Sequence, residues 1–173
     1  YGADAIRRGL ADFGGVPGRF EACSRQPLVL VDFAHSPDAL ARVLDSARSL
    51  AVRSGGRLGC VFGCGGERDT EKRPLMGELA DRLADVVWLT TDNPRGEPPE
   101  AIASMVRAGS RGLALWHDLP ERRTAIDAAV RWAGPRDVVV VAGRGPETHQ
   151  QLASGPVPFL DSDAVRETLA RLS

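Results

Sequence analysis

Val138 to Val141 form an unbroken run of four valines, and that run narrows the possible folds more than any other feature of the chain. β-Branched side chains favour strands. A strand without polar alternation must be covered on both faces, as in a parallel sheet packed between helices. Leu28–Val31, Leu58–Phe62, Val86–Leu89 and Leu113–Trp116 repeat the signal at intervals. Between these runs lie stretches with helical spacing of apolar residues: Pro37 to Ala51, Pro74 to Leu83, Pro99 to Ala108 and Pro120 to Ala133. In the first, Leu40, Val43, Leu44, Ala47 and Leu50 share a face; Ser36 is placed to cap, Pro37 occupies the first helical position, and Gly55-Gly56 ends the unit. Strands that alternate with helices in this way imply βαβ units. The expected fold is therefore α/β, a Rossmann-like open, mostly parallel sheet of about six strands with helices on both faces. Residues 155–160, with two prolines, read as a loop or edge strand before a final helix over Asp163 to Leu172.

A chain of 173 residues is one domain's worth. Its 22 basic residues nearly balance 23 acidic ones, which gives no electrostatic reason to expect nucleic acid or an anionic membrane as partner. Cys23, Cys60 and Cys64 cannot complete a disulfide framework. Cys60 and Cys64 have no second pair at zinc spacing, so reduced thiols and no metal site are expected. No apolar run approaches the roughly 18 residues of a membrane span, and no secretory signal opens the chain, so a cytoplasmic location is expected. Asp4 to Phe13 reads as a short helix, followed by the breaker cluster Gly14 to Gly18. With Tyr at the first position, residues 1–18 read as the tail of a preceding domain plus a linker, and 19–173 as the domain itself.

Ligands of open parallel sheets bind beyond the carboxyl ends of the strands, and the unusual residues of this sequence cluster there. After the first strand comes Asp32-Phe33-Ala34-His35-Ser36-Pro37-Asp38, and after the second Gly63-Cys64-Gly65-Gly66-Glu67-Arg68-Asp69. Thr90-Thr91-Asp92-Asn93-Pro94-Arg95 follows the third strand and Ala142-Gly143-Arg144-Gly145-Pro146-Glu147 the fifth. His117-Asp118, after the fourth, is less distinctive. Four such loops describe a polar pocket with two or three guanidinium groups and several carboxylates. Guanidinium forks suit carboxylates and carboxylates suit ammonium groups, so an amino acid charged at both ends fits the set.

These segments resemble the motifs of the Mur ligases. Val31 to Leu40 resembles V-D-Y-A-H-T-P-D-A-L, and Phe62 to Asp69 with Lys72-Arg73-Pro74-Leu75-Met76 is similar to F-G-C-G-G-D-R-D…K-R-P-x-M. Asp92-Asn93-Pro94-Arg95 resembles the D-N-P-R of the branch that adds meso-diaminopimelate, and Gly143 to Gln150 its G-K-G-H-E-x-Y-Q. The resemblance implies the C-terminal domain of an enzyme that spends ATP, with Mg2+, to join meso-diaminopimelate to UDP-MurNAc-L-Ala-D-Glu in peptidoglycan synthesis. An acyl phosphate forms first, and the amine of the amino acid attacks it. By the same resemblance Asn93 and Arg95 hold the distal end of the amino acid, Asp92 is counted among the substrate-binding residues, Arg68 meets a carboxylate, and Gly143 and Glu147 anchor the ligand. Asp32 and His35 would face the nucleotide after domain closure.

Each position has a plainer reading. Asn93 and Arg95 could belong to a solvated loop, Arg68 could pair with Glu67 or Asp69 at the surface, Glu147 could be a helix-start carboxylate, and Asp32 and His35 could be caps. Two positions depart from the family: its Lys is Arg144 and its His is Pro146. Both departures are expected in the amino-acid pocket, which leaves lysine, ornithine or glutamate as alternative substrates and a non-catalytic paralogue as an alternative role. No Gly-x-x-x-x-Gly-Lys-Ser/Thr loop occurs in the sequence. ATP, Mg2+ and the UDP-linked peptide are thus expected on other domains, and no catalytic residue is expected within this one. A dinucleotide-binding reading of Gly63-x-Gly65-Gly66 fails on position and spacing, since that fingerprint follows the first strand as Gly-x-Gly-x-x-Gly.

Overall fold

The computed structural model describes residues 2, 7 and 15–172. The helix expected over Asp4 to Phe13 lies outside the described residues, apart from Arg7. In chain order the elements are β1 (Glu21–Arg25), β2 (Leu28–Asp32), α1 (Pro37–Ser54), β3 (Leu58–Phe62), α2 (Lys72–Leu83), β4 (Val86–Leu89), α3 (Pro99–Arg107), β5 (Leu115–Asp118), α4 (Arg122–Trp132), β6 (Val138–Ala142), β7 (His149–Leu152), β8 (Gly155–Pro158) and α5 (Asp161–Leu172). The main sheet has six strands in the order β1-β2-β6-β3-β4-β5. All its pairings are parallel except β1 with β2. Among the described residues no helix is long and apolar enough to cross a membrane.

The valine run explains where the core lies. Val138 and Val140 point to a layer formed by α1, α2 and α3, and Val139 and Val141 to one formed by α4 and α5. β6 therefore sits mid-sheet, buried on both faces, as its lack of alternation requires. The turn from β5 through α4 returns the chain to the middle of the sheet, between β2 and β3. Here the strand order reverses, and the carboxyl ends of β2, β6, β3 and β4 open a crevice.

Three elements differ from expectation. The sixth strand of the sheet is β1, whose sequence Glu-Ala-Cys-Ser-Arg carries little apolar signal; it is an edge strand held by antiparallel bonds to β2. The segment read as a loop or edge strand, residues 155–160, supplies β8, which pairs with β7 in a separate hairpin. β5 begins two residues later than the apolar run suggested, so His117 and Asp118 lie within the strand. The cause is Asp81 of α2, a buried carboxylate that accepts from the backbone N–H groups of Arg111 (2.8 Å), Leu113 (3.2 Å) and Ala114 (3.2 Å) and from Trp116 Nε1 (2.7 Å). Backbone donors bound to a carboxylate cannot join a ladder, and Leu113 is left 71% exposed.

Burial would raise the Asp81 pKa, but the Trp116 indole and the three backbone donors outweigh it and hold the carboxyl well below the usual range. A depressed pKa stabilises the fold above the unfolded value, about 4, and that stabilisation is lost as pH falls through the folded value. Asp81→Ala is expected to cost roughly 3 kcal/mol in urea melts at pH 7. The deficit relative to the unmodified chain should shrink as the pH is lowered below about 4. A constant deficit would show that the carboxylate charge does not organise this loop.

Candidate functional site

The crevice has a volume of about 450 Å³ and is lined by residues from all four distinctive loops: Phe33, His35 and Ser36, Gly65, Arg68 and Asp69, Asp92, Asn93 and Arg95, and Gly143 and Glu147. Lys72, from the first turn of α2, joins them. Glycine is required where the loops touch. A Cβ on Gly63 would lie 2.1 Å from the Thr90 carbonyl, and one on Gly66 would lie 1.9 Å from that of Pro94. Gly143, at φ +118°, brings its Cα so close to Asp92 that a Cβ would meet Oδ2 at 2.6 Å. The loops after β3 and β4 therefore pack backbone against backbone, the loop after β6 packs against the Asp92 side chain, and the site's side chains are displayed from these close approaches.

Asp92 is buried. Its Oδ1 accepts from Asn93 N–H at 2.7 Å, and its Oδ2 has no partner among the described residues. Asn93 is also buried and fully oriented: Oδ1 accepts from Gln151 N–H (2.8 Å) and Arg144 Nη1 (2.9 Å), and Nδ2 donates to Glu147 Oε2 (2.7 Å). Arg95 adopts a left-handed φ of +54°, uncommon for a residue with a side chain. Its N–H donates to Gln151 O, and its Nη1 to Gly66 O and Asn93 O. The β7–β8 hairpin, through Gln150 and Gln151, thus straps the loop after β4.

The plainer readings fare differently. Glu67 turns away from Arg68 to accept from Gly96 N–H, and Asp69 accepts from Glu71 N–H. Arg68 stands exposed at the rim of the crevice. Glu147 leads into β7, so it is no helix-start carboxylate. Ser36, not Asp32 or His35, caps α1, accepting from Ala39 N–H. Asp32 Oδ2 instead accepts from Phe20 N–H at 2.8 Å, tying down the segment ahead of β1. His35 Nδ1 lies 2.9 Å from Phe33 O, and the His35 carbonyl accepts from Lys72 Nζ.

Arg144 was expected in the pocket; its side chain instead lies beneath it, fully buried, with bonds to Asn93 Oδ1, Phe159 O and Glu147 O. Pro146 packs against Gly18 rather than lining the crevice. Arg73 and Arg122, likewise buried, escaped sequence reasoning. Arg73 holds Glu97 through both amino nitrogens and donates to Gly65 O. Arg122 forks onto Asp161 and donates to Thr91 O and Ala142 O. Arg73 stands within the K-R-P segment, which gave a signal; Arg122 gave none, since its partner is 39 residues away.

A second cavity of about 300 Å³ lies between α3 and the loop after β5, lined mainly by apolar groups such as Leu89, Ile102 and Pro120. Burial pushes the Cys64 thiol at its edge up to about 12, so it is no nucleophile. Among the described residues no group of three or more His, Cys, Asp or Glu side chains could hold a metal ion.

The sequence of the chain matches a family model. The model of the Mur ligase glutamate ligase domain matches residues 18–145. The chain is 49% identical over 158 residues to a UDP-N-acetylmuramoyl-L-alanyl-D-glutamate–2,6-diaminopimelate ligase of Acidovorax sp. (strain JS42), covering 90% of this chain and 32% of that protein. It is 45% identical to the Synechocystis enzyme of the same name over 170 residues, 95% of this chain and 33% of the relative. A solved structure of a ligase with that name superposes with a TM-score of 0.83 at 35% identity, covering 99% of this chain and 35% of the other. The bifunctional folylpolyglutamate synthase/dihydrofolate synthase of Yersinia pestis shares the fold, with a TM-score of 0.61 at 23% identity over 99% of this chain and 34% of that one. The chain belongs to the Mur ligase family and comprises its glutamate ligase domain, the C-terminal domain of these enzymes. It spans about a third of the length of the curated relatives it matches.

Burial pushes the Asp92 carboxyl above its ordinary value against the pull of Arg122 and Arg144, and Glu147 adds to the rise. Because folding raises this pKa, the associated stability is fully present below the unfolded value, about 4, and is lost as pH rises through the folded value. Asp92→Asn keeps the acceptor for Asn93 N–H and removes the buried charge. It is expected to raise stability at pH 7 by on the order of 1 kcal/mol, with the gain vanishing near pH 4. Chemical denaturation from pH 4 to 8 checks this, and a gain that does not grow with pH would contradict it.

Proposed function

We propose that this chain is the amino-acid-binding domain of an ATP-dependent ligase that adds meso-diaminopimelate to UDP-MurNAc-L-Ala-D-Glu. The observation that carries the reading is the pairing of charges across one crevice. Arg68 and Arg95 face it together with Glu147 and an Asp92 whose Oδ2 lacks a partner. Two guanidinium groups and two carboxylates suit a ligand with carboxylates and ammonium groups at separate ends. Asn93 and Arg95 would hold the distal end, Arg68 a carboxylate, and Gly143, Glu147 and Asp92 the ammonium. The position of Arg144 beneath the crevice supports the same substrate despite the departure from lysine. The names of the relatives point the same way.

On this reading the domain is residues 19–173, and its partners are the amino acid here and ATP, Mg2+ and the UDP-linked peptide on the rest of a cytoplasmic enzyme. ATP would supply the acyl phosphate. The part of this chain is to hold the amino acid and, with Asp32 and His35 turned toward the nucleotide, to exclude water on closure. By itself the chain is expected to be inactive.

Calorimetric titration of this chain with meso-diaminopimelate is expected to show weak binding, on the order of millimolar, because the closing partner is absent. Lysine and ornithine, which lack the distal carboxylate, should bind less. In the full-length ligase Arg95→Ala is expected to raise the KM for meso-diaminopimelate at least about tenfold and to change lysine use little. A full-length enzyme that ignores meso-diaminopimelate would overturn this substrate.

A further inference from the structure

Asn93 lies in the crevice, yet both ends of its amide are engaged by the protein. A primary amide looks nearly the same when turned about its axis, so something must decide which end is oxygen. Here Oδ1 receives two donors, Gln151 N–H at 2.8 Å and Arg144 Nη1 at 2.9 Å. Arg144 is purely a donor, so it can only meet the oxygen. That leaves Nδ2 aimed at Glu147 Oε2 at 2.7 Å. The other amino group of Arg144 donates to the backbone of Glu147 (3.4 Å) and of Phe159 (2.9 Å). One buried fork therefore holds Glu147 twice, through its main chain and through Asn93.

We propose that Arg144 is a positioning residue: it sets the amide of Asn93 and, through it, the carboxylate of Glu147, and so tunes amino-acid recognition without touching the ligand. The proposal rests on the functional reading above only in naming the ligand. The mechanical part, Arg144 to Asn93 to Glu147, stands on the geometry alone. A lysine at this position offers one compact ammonium in place of a planar fork, so it could not serve Asn93 Oδ1, Glu147 O and Phe159 O with the same spacing.

Asn93 is the sole asparagine of the chain, so labelling with 15N-asparagine yields a single side-chain NH2 pair. Arg144→Met is expected to shift that pair clearly. In the full-length ligase the same change should raise the KM for meso-diaminopimelate about tenfold or more while leaving the KM for ATP unchanged. Arg144→Lys should produce a smaller shift in the same direction and recover part of the KM, and it carries the test if the Met variant fails to fold. Asn93→Asp retains the acceptor for Arg144 but sets a buried carboxylate oxygen against Glu147, so it should raise the same KM and lower the melting temperature modestly. An unmoved NH2 pair in the Arg144 variants overturns the proposal, as does an unchanged amino-acid KM in Asn93→Asp. If the unmodified ligase does not use meso-diaminopimelate, the substrate reading fails, while the NH2 pair still decides the role of Arg144.

Discussion

Three guanidinium groups without solvent exposure, those of Arg73, Arg122 and Arg144, hold the carboxyl edge of this sheet in shape. Burying a charge is costly unless it is paired and hydrogen-bonded. Arg73 and Arg122 each take a carboxylate, Glu97 and Asp161, and each also reaches loop carbonyls. Arg144 is joined to Asn93 Oδ1 and to two carbonyls, with Asp161 at 3.9 Å. The loops after β3 and β6 are rich in glycine, and none of the loops after β3, β4 and β6 has regular structure of its own. Planar forks with several donors at fixed angles can gather such carbonyls where a single ammonium could not. Asp161 also opens α5, so the last helix is keyed to the same cluster.

Most of the sheet was legible because its strands are buried on both faces. The runs at Leu58–Phe62 and Val86–Leu89 coincide with β3 and β4, and the valine run with all of β6 except its last residue. The failures have physical reasons. β1 has a polar sequence and gains its order from backbone pairing with β2, which no side-chain pattern reports. β5 was displaced because Asp81 captures the backbone donors of the residues before it, a tertiary effect from a helix some thirty positions earlier. The crevice was legible as four loops at one edge, since topology alone brings strand ends together. Its foundation was not. A buried Arg122 at the start of an amphipathic helix looks in sequence like a solvated one, and a substituted motif residue such as Arg144 looks like a change in the pocket.

The arrangement of charge in the crevice is itself a means of selection. Specificity arises as much from what a site leaves unpaired with the wrong ligand as from what it pairs with the right one. Glu147 and Asp92 sit within one side of the crevice, and Asp92 is already disfavoured as an anion by burial and by Glu147. On the proposed reading an arriving ammonium group would relieve that repulsion, whereas a carboxylate there would add to it. Glutamate, with a carboxylate at its far end, would therefore be repelled at the position where diaminopimelate presents both an ammonium and a carboxylate. Lysine would satisfy the acids and leave Arg95 without its anion. On the same reading the orientation of Asn93, bonded to Arg144 and Gln151, would sharpen this discrimination. A mobile amide could turn to suit either charge, and a fixed one presents only its donor to Glu147.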